Sequence, residues 1–215
     1  MVLSACYFSA KAQTNKIGNW FIYFGNQKIN KRFNFHNEIQ YRNYNFIGDI
    51  NQLLIRSGIG YTLDNKDNIL LGYGYIQSYT NETVVSKKKR TIENRIYQQY
   101  LTKHSIDKYI FVHRLRFEER FLNNSLQFRF RYFLSLNMPL NKEKMEKNTI
   151  YISSYNEIFL KPTNEFFDRN RIYGGLGFAI NKDVKIETGY MIQTLKDKNQ
   201  QQFQIILFNN SPFKN

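Results

Sequence analysis

The sequence predicts an all-β protein, an antiparallel up-and-down transmembrane β-barrel of 10–12 strands with a polar, Arg/Glu-rich interior. Three observations carry this. Apolar and polar residues alternate with period two over most of the chain, as in Phe33, Phe35, Ile39 and Tyr41 set against Arg32, Asn34, His36, Glu38, Gln40 and Arg42. Aromatic residues make up 17% of the 215 residues, with 19 Phe and 16 Tyr, while Pro stands at 3. Arginine and glutamate, not lysine and serine, occupy the polar phase beside those aromatics, and lysine gathers in the turns.

The chain opens with MVLSACYFSAKA, where Ala10-Lys11-Ala12 has the small-x-small form of a secretory cleavage site and would leave Gln13 first in the mature chain. Residues 1–12 are accordingly expected to be a truncated signal-peptide remnant and 13–215 a single barrel domain. A rival reading takes Leu3-Ser4-Ala5-Cys6 as a lipoprotein box; both readings imply export.

Eleven segments then follow in order. Residues 17–27 and 31–42 form the first hairpin, the second of them alternating most regularly. Segments 51–63 and 68–79 are joined by the turn Asp64-Asn65-Lys66-Asp67 and carry Gly58, Gly60, Gly72 and Gly74. With no helix following them these glycines are not phosphate loops, and close approach of bulky neighbours on curved strands is the expected role. A charged connection, 79–91, holds Lys87-Lys88-Lys89-Arg90 and leads to 92–102. Segment 108–121 alternates Leu115, Phe117 and Phe121 with Arg114, Arg116, Glu118 and Arg120. Asn123-Asn124 then turns the chain into 125–137, where Phe128, Phe130, Tyr132, Leu134 and Leu136 alternate with Gln127, Arg129, Arg131 and Ser135. In a helix Arg129 and Arg131 would lie about 200° apart, so helical period does not explain these segments. A second long connection, 139–148, precedes 149–160; then come 168–180, 184–194 after Asn181-Lys182-Asp183, and 201–209. Single-chain bacterial barrels have an even strand count, which sets the expectation at ten or twelve.

A soluble barrel turns its apolar face inward, and this chain has more apolar side chains than one small core needs. A lipid-facing exterior accounts for them, and strands of roughly 9–11 residues suffice to cross a bilayer. The mean hydropathy of -0.56 fits a chain of which only alternate residues meet lipid. No apolar run reaches the length of a transmembrane helix.

Several strings resemble a bacterial family catalogued as domain of unknown function 2490: His113-Arg114-Leu115-Arg116-Phe117-Glu118-Glu119-Arg120-Phe121, Gln127-Phe128-Arg129-Phe130-Arg131-Tyr132, Tyr155-Asn156-Glu157-Ile158-Phe159-Leu160 and Asp168-Arg169-Asn170-Arg171-Ile172-Tyr173. The resemblance runs from Gly18-Asn19-Trp20 to Gly189-Tyr190-Met191. It implies a Gram-negative outer-membrane β-barrel folded by the outer-membrane assembly machinery, and it implies no activity. Glu119, Asn94 and Gln98 depart from the pattern by placing polar groups on the lipid-facing phase.

The inward phase defines the candidate site, a lumen charge network of Arg32, Glu38, Arg42, Arg56, Glu93, Arg95, Arg114, Arg116, Glu118, Arg120, Arg129, Arg131, Glu157, Arg171 and Glu187. Cross-strand neighbours can pair, and the planar guanidinium suits carboxylates in a confined, partly dry space. The first reading is a salt-bridge network that fills a narrow barrel and fixes its register; the second, drawn from the surplus cations, is a narrow anion-preferring pore.

Catalysis is not expected. His36, His104 and His113 fall in different settings with no serine nucleophile beside them. Glu118 and Glu157, surrounded by arginines, suit ion pairing and not proton transfer. One cysteine and three histidines exclude a Cys/His zinc module and an internal disulfide framework, and no cofactor is expected. An outer-membrane lipid hydrolase and a soluble basic β-barrel binding nucleic acid are the alternatives. The net charge of +14 raises the second, yet the one basic cluster, 87–90, falls in an expected loop. Outer-membrane lipid, including lipopolysaccharide phosphates met by that cluster, is the expected partner, with no nucleic acid.

Overall fold

The structure is a computed structural model that describes residues 17–64, 66–81 and 88–213. The expected signal remnant, Cys6 and Lys87 lie outside the described residues. Eleven strands run β1 (Gly18–Lys28), β2 (Phe33–Asn43), β3 (Ile50–Thr62), β4 (Asp67–Asn81), β5 (Lys88–Ile106), β6 (Tyr109–Leu122), β7 (Ser125–Pro139), β8 (Thr149–Leu160), β9 (Phe167–Ala179), β10 (Val184–Thr194) and β11 (Asn199–Asn209). Each pairs with its neighbours in sequence, and the sheet closes by pairing β1 with β11.

Eleven strands fall within the expected 10–12, and the closure corrects only the expectation of an even number. Hairpin-linked strands alternate in direction, so an odd number leaves the first and last parallel. The β1–β11 seam is indeed parallel, running from Gly18 opposite Gln202 to Gly25 opposite Asn209, while every other pairing is antiparallel. The eleven periodic segments correspond one to one with the strands; the even-number rule does not hold here.

Turn chemistry follows the sequence. Asn123 and Asn124 both have positive φ, 49° and 61°, as a two-residue hairpin turn of the primed type requires. Asp64 Oδ1 accepts the backbone N–H of Lys66 (2.7 Å) and of Asp67 (2.8 Å), and Asn181 Oδ1 accepts those of Asp183 and Val184, both at 2.8 Å. The two amides at Asp64 hold its carboxyl below the ordinary aspartate range. Strand β5 is longer than its periodicity suggested. Lys88, Lys89 and Arg90 belong to it, paired with Asn81, Thr80 and Tyr79, and not to a loop.

Inside and outside separate by phase along most strands. On β7, Leu126, Phe128, Phe130, Tyr132, Leu134 and Leu136 point outward and Arg129, Arg131, Phe133 and Ser135 inward. Not all aromatics are outside, however. Trp20, Tyr97, Tyr151, Phe159 and Tyr173 are buried in the lumen, which corrects the simple division into aromatic exterior and charged interior. Room for them comes from glycine. A Cβ on Gly72 would stand 2.3 Å from Tyr97 Cζ, and one on Gly177 would stand 2.2 Å from Tyr151 Cζ. Each tyrosine sits directly opposite its glycine in the neighbouring strand.

A candidate charged site in the lumen

Direct cross-strand pairing builds the first layer of the network. Glu38 lies opposite Arg56, Glu118 opposite Arg129 and Glu157 opposite Arg171. Longer reaches then tie separate strands together. Glu118 is completely buried. Its Oε2 accepts from Arg129 Nε (2.8 Å) and Nη2 (2.6 Å), and its Oε1 from Arg131 Nη1 (2.6 Å) and Arg95 Nη1 (3.4 Å). Arg56 Nη2 on β3 approaches the same Oε1 to 3.9 Å from three strands away.

Arg131 also joins the two carboxylates weighed for acid–base chemistry, donating from Nη2 to Glu157 Oε1 at 2.5 Å. Glu157 accepts from Arg114 at 2.7 Å as well and lies 3.6 Å from Arg171. Glu93 binds Arg95 (Nε, 2.9 Å) and Arg120 through both of its oxygens (2.7 and 2.9 Å). With every carboxylate oxygen turned toward guanidinium N–H, these glutamates are ion-pair partners.

Three arginines are held differently. Arg42 donates to the amide oxygens of Gln40 (Nε, 2.9 Å) and Gln52 (Nη1, 2.6 Å) while its guanidinium lies 3.8 Å over the Trp20 ring. Arg116 donates twice to Gln99 Oε1 (3.0 and 2.6 Å) and lies 4.4 Å over Tyr97. Arg171, already 3.6 Å from Glu157, donates to Gln193 (2.8 Å) and faces Trp20 and Phe159. An amide fixes a guanidinium without neutralising it, and an aromatic face offsets only part of the charge.

Two residues expected in the network stand apart from it. Arg32 is exposed in the β1–β2 turn and donates to the Tyr61 hydroxyl at 2.9 Å, because the strand starts one residue later, at Phe33. Glu187 is buried in the lumen, yet it accepts from the Tyr151 hydroxyl (2.9 Å) and has no cation within 4 Å among the described residues. Sequence reasoning missed Asp168, which pairs with Arg129 (3.2 Å), Arg169 (3.1 Å) and Lys161 (3.2 Å). The register shift at Phe159/Leu160 disturbs the two-residue phase beside it. The glutamines gave no signal by residue type; only their inward phase marked them.

The exterior departures resolve as pairs. Gln98 Nε2 donates to Glu119 Oε1 at 3.1 Å, and Asn94 accepts from the Tyr73 hydroxyl at 2.5 Å. The three histidines do not meet at one site. His104 and His113 stack outward at 5.1 Å, with His113 Nδ1 2.8 Å from the Tyr132 hydroxyl, while His36 faces Glu38 across 3.6 Å inside.

Fold and interior together define a closed all-β barrel whose lumen carries a buried arginine–glutamate network. The chain belongs to the family described as "Protein of unknown function (DUF2490)", whose profile matches residues 17–204. It is 27% identical over 168 residues to an uncharacterised protein of Methylorubrum extorquens, covering 74% of this chain and 70% of that one. No solved structure matches it.

Proposed function

We propose that this protein spans the outer membrane of a Gram-negative cell as a structural β-barrel whose lumen is closed by its own ion pairs. One observation carries the reading: large apolar side chains stand exposed on the outward face of all eleven strands, from Phe21 on β1 through Ile55, Leu71, Leu115, Phe130 and Leu176 to Leu207 on β11. A soluble protein rarely leaves so continuous an apolar surface in water. On β7 the outward apolar run from Leu126 to Leu136 covers ten residue steps, about 33 Å along the strand and roughly 25 Å along a barrel axis at ~40° tilt. That height matches the apolar band of outer-membrane barrels.

Membership of a family without assigned activity adds no catalytic role, and the ion-paired state of Glu118 and Glu157 speaks for a non-enzymatic barrel. Protein refolded in detergent should migrate differently on gels before and after boiling, and should give no steady current in planar bilayers. A large open conductance would contradict the closed lumen.

A narrow anion-preferring passage is the second reading, favoured by the glutamine-held arginines. It predicts small currents whose reversal potential in a salt gradient follows the anion. For partners, we read lipopolysaccharide phosphates at Lys89 and Arg90, since Lys88 is engaged by Asp49. Replacing Lys87, Lys88, Lys89 and Arg90 with Gln should lower lipopolysaccharide co-purification; unchanged retention would retire the idea. Insertion by the outer-membrane assembly machinery follows from the same reading, and depleting that machinery in cells should leave the chain unfolded and degraded.

A further inference from the structure

The buried polar atoms left without a hydrogen-bond partner among the described residues include a group of one chemical kind. Arg56 Nε, Arg114 Nε, Arg116 Nη1 and the Tyr97 hydroxyl are all able to donate. They share a neighbourhood. Arg116 lies 4.4 Å and Arg56 6.0 Å from the Tyr97 ring centroid, and Arg114 is two residues from Arg116 on the inward phase of β6. The Tyr97 ring is completely buried, and the Arg56 and Arg116 side chains are 4% and 1% exposed. Arg56 and Arg114 each give one nitrogen to a carboxylate, Glu38 at 2.8 Å and Glu157 at 2.7 Å, and the unmet N–H groups are what those pairs leave over.

Charge points the same way. Arg116 lies directly opposite Arg131 on β7 and two residues from Arg114 on its own strand, so these two charges flanking it are of its own sign. Its hydrogen bonds go to Gln99, a neutral amide, where a glutamate would have cancelled the charge. The one carboxylate within 4 Å among the described residues is Glu118, at 3.8 Å, and Arg129 and Arg131 already occupy it. A buried cation with unmet N–H groups and cationic neighbours is costly. A water molecule could accept some of these bonds, yet it would leave the charge excess in place. An oxyanion answers both needs, because its oxygens match the planar donor forks of arginine and its charge offsets theirs.

We propose that the lumen around Tyr97 is a binding site for a small multivalent oxyanion of the phosphate class, held by Arg56, Arg114 and Arg116. Gln99 orients Arg116 toward it, and the Arg114 side chain, 17% exposed, marks the more open side of the site. The site depends on the interior geometry alone and stands whether or not the barrel sits in a bilayer.

Calorimetric titration of the full chain, folded in a non-ionic detergent and a zwitterionic buffer, with inorganic phosphate tests this. The expected result is saturable binding at one site per chain, competition by sulfate, and at least tenfold weaker binding of acetate. The Gln99→Glu variant supplies Arg116 with an internal carboxylate and should weaken phosphate binding at least tenfold. If that variant does not fold, Arg114→Gln takes its place with the same reading. Absence of saturable binding to the unmodified chain would overturn the site. So would binding undiminished in the variant, which means an adventitious ion only, held elsewhere on this basic protein.

Discussion

The ring of Tyr151 lies against the backbone of Gly177, its cross-strand partner, so closely that a Cβ there would stand 2.2 Å from Cζ and 2.5 Å from Cε2. The tyrosine hydroxyl then reaches Glu187 Oε1 at 2.9 Å. Glycine thus sets where an inward aromatic can lie flat on the wall, and the ring in turn fixes a buried carboxylate. Gly177→Ala should destabilise the barrel by about 1–3 kcal/mol through overpacking. Urea unfolding in lipid vesicles measures this, and adding Tyr151→Ala should make the alanine at 177 nearly neutral. Additive losses would mean the contact is not the cause.

Glu118 and Glu187 are both buried glutamates, but they differ in what they hold. Glu118 accepts from Arg129, Arg131 and Arg95, and Glu187 from the hydroxyls of Tyr151 and Ser153. Glu118→Gln leaves several guanidiniums without their shared counter-charge and should cost about 3–5 kcal/mol. Glu187→Gln keeps an acceptor for Tyr151 and should cost far less. Equal losses in the same unfolding assay would show that the network does not hold the barrel together.

Ile55 faces outward from the middle of β3. In a bilayer, Ile55→Arg should destabilise the folded state by about 2–4 kcal/mol. At Arg90, on the same outward phase but at the strand end, replacement by isoleucine should change stability little. A neutral Ile55→Arg would argue for water on that face.

Lys196 donates to Glu165 at 2.7 Å between the β10–β11 and β8–β9 connections, and this holds the Glu165 carboxyl below the ordinary glutamate range. A carboxyl lowered in the folded state stabilises above the ordinary glutamate pKa, and that contribution is lost as pH falls through the lowered value. Both groups are exposed, so Lys196→Gln should leave stability at neutral pH almost unchanged. Thermal unfolding at neutral pH and at pH 3 checks this; a clear loss at neutral pH would contradict it.

The sequence made the strands legible because a sheet with an apolar outer face and a charged inner face forces a two-residue alternation, which Phe128 and Arg129 show. It also made most of the network legible, since arginine or glutamate on the inward phase has nowhere else to go. The parallel seam was hidden, because strand parity decides it and general precedent favoured an even number. Arg32 was misplaced by a single residue of strand boundary, and Asp168 was missed beside a register shift. Tyr97 and Phe159 kept the inward phase, but aromatic type drew attention outward. Gln99 and Gln193 were invisible as functional groups because an amide matters only once its arginine partner is known.

The central claim is that the outer face meets hydrocarbon while the lumen does not. The chain has one tryptophan, Trp20, buried in the lumen beneath Arg42 and Arg171. In vesicles of acyl-brominated phospholipid its fluorescence should be unquenched, and in Trp20→Phe/Leu115→Trp the new indole should be strongly quenched. Quenching of Trp20 with no effect at position 115 would contradict the account.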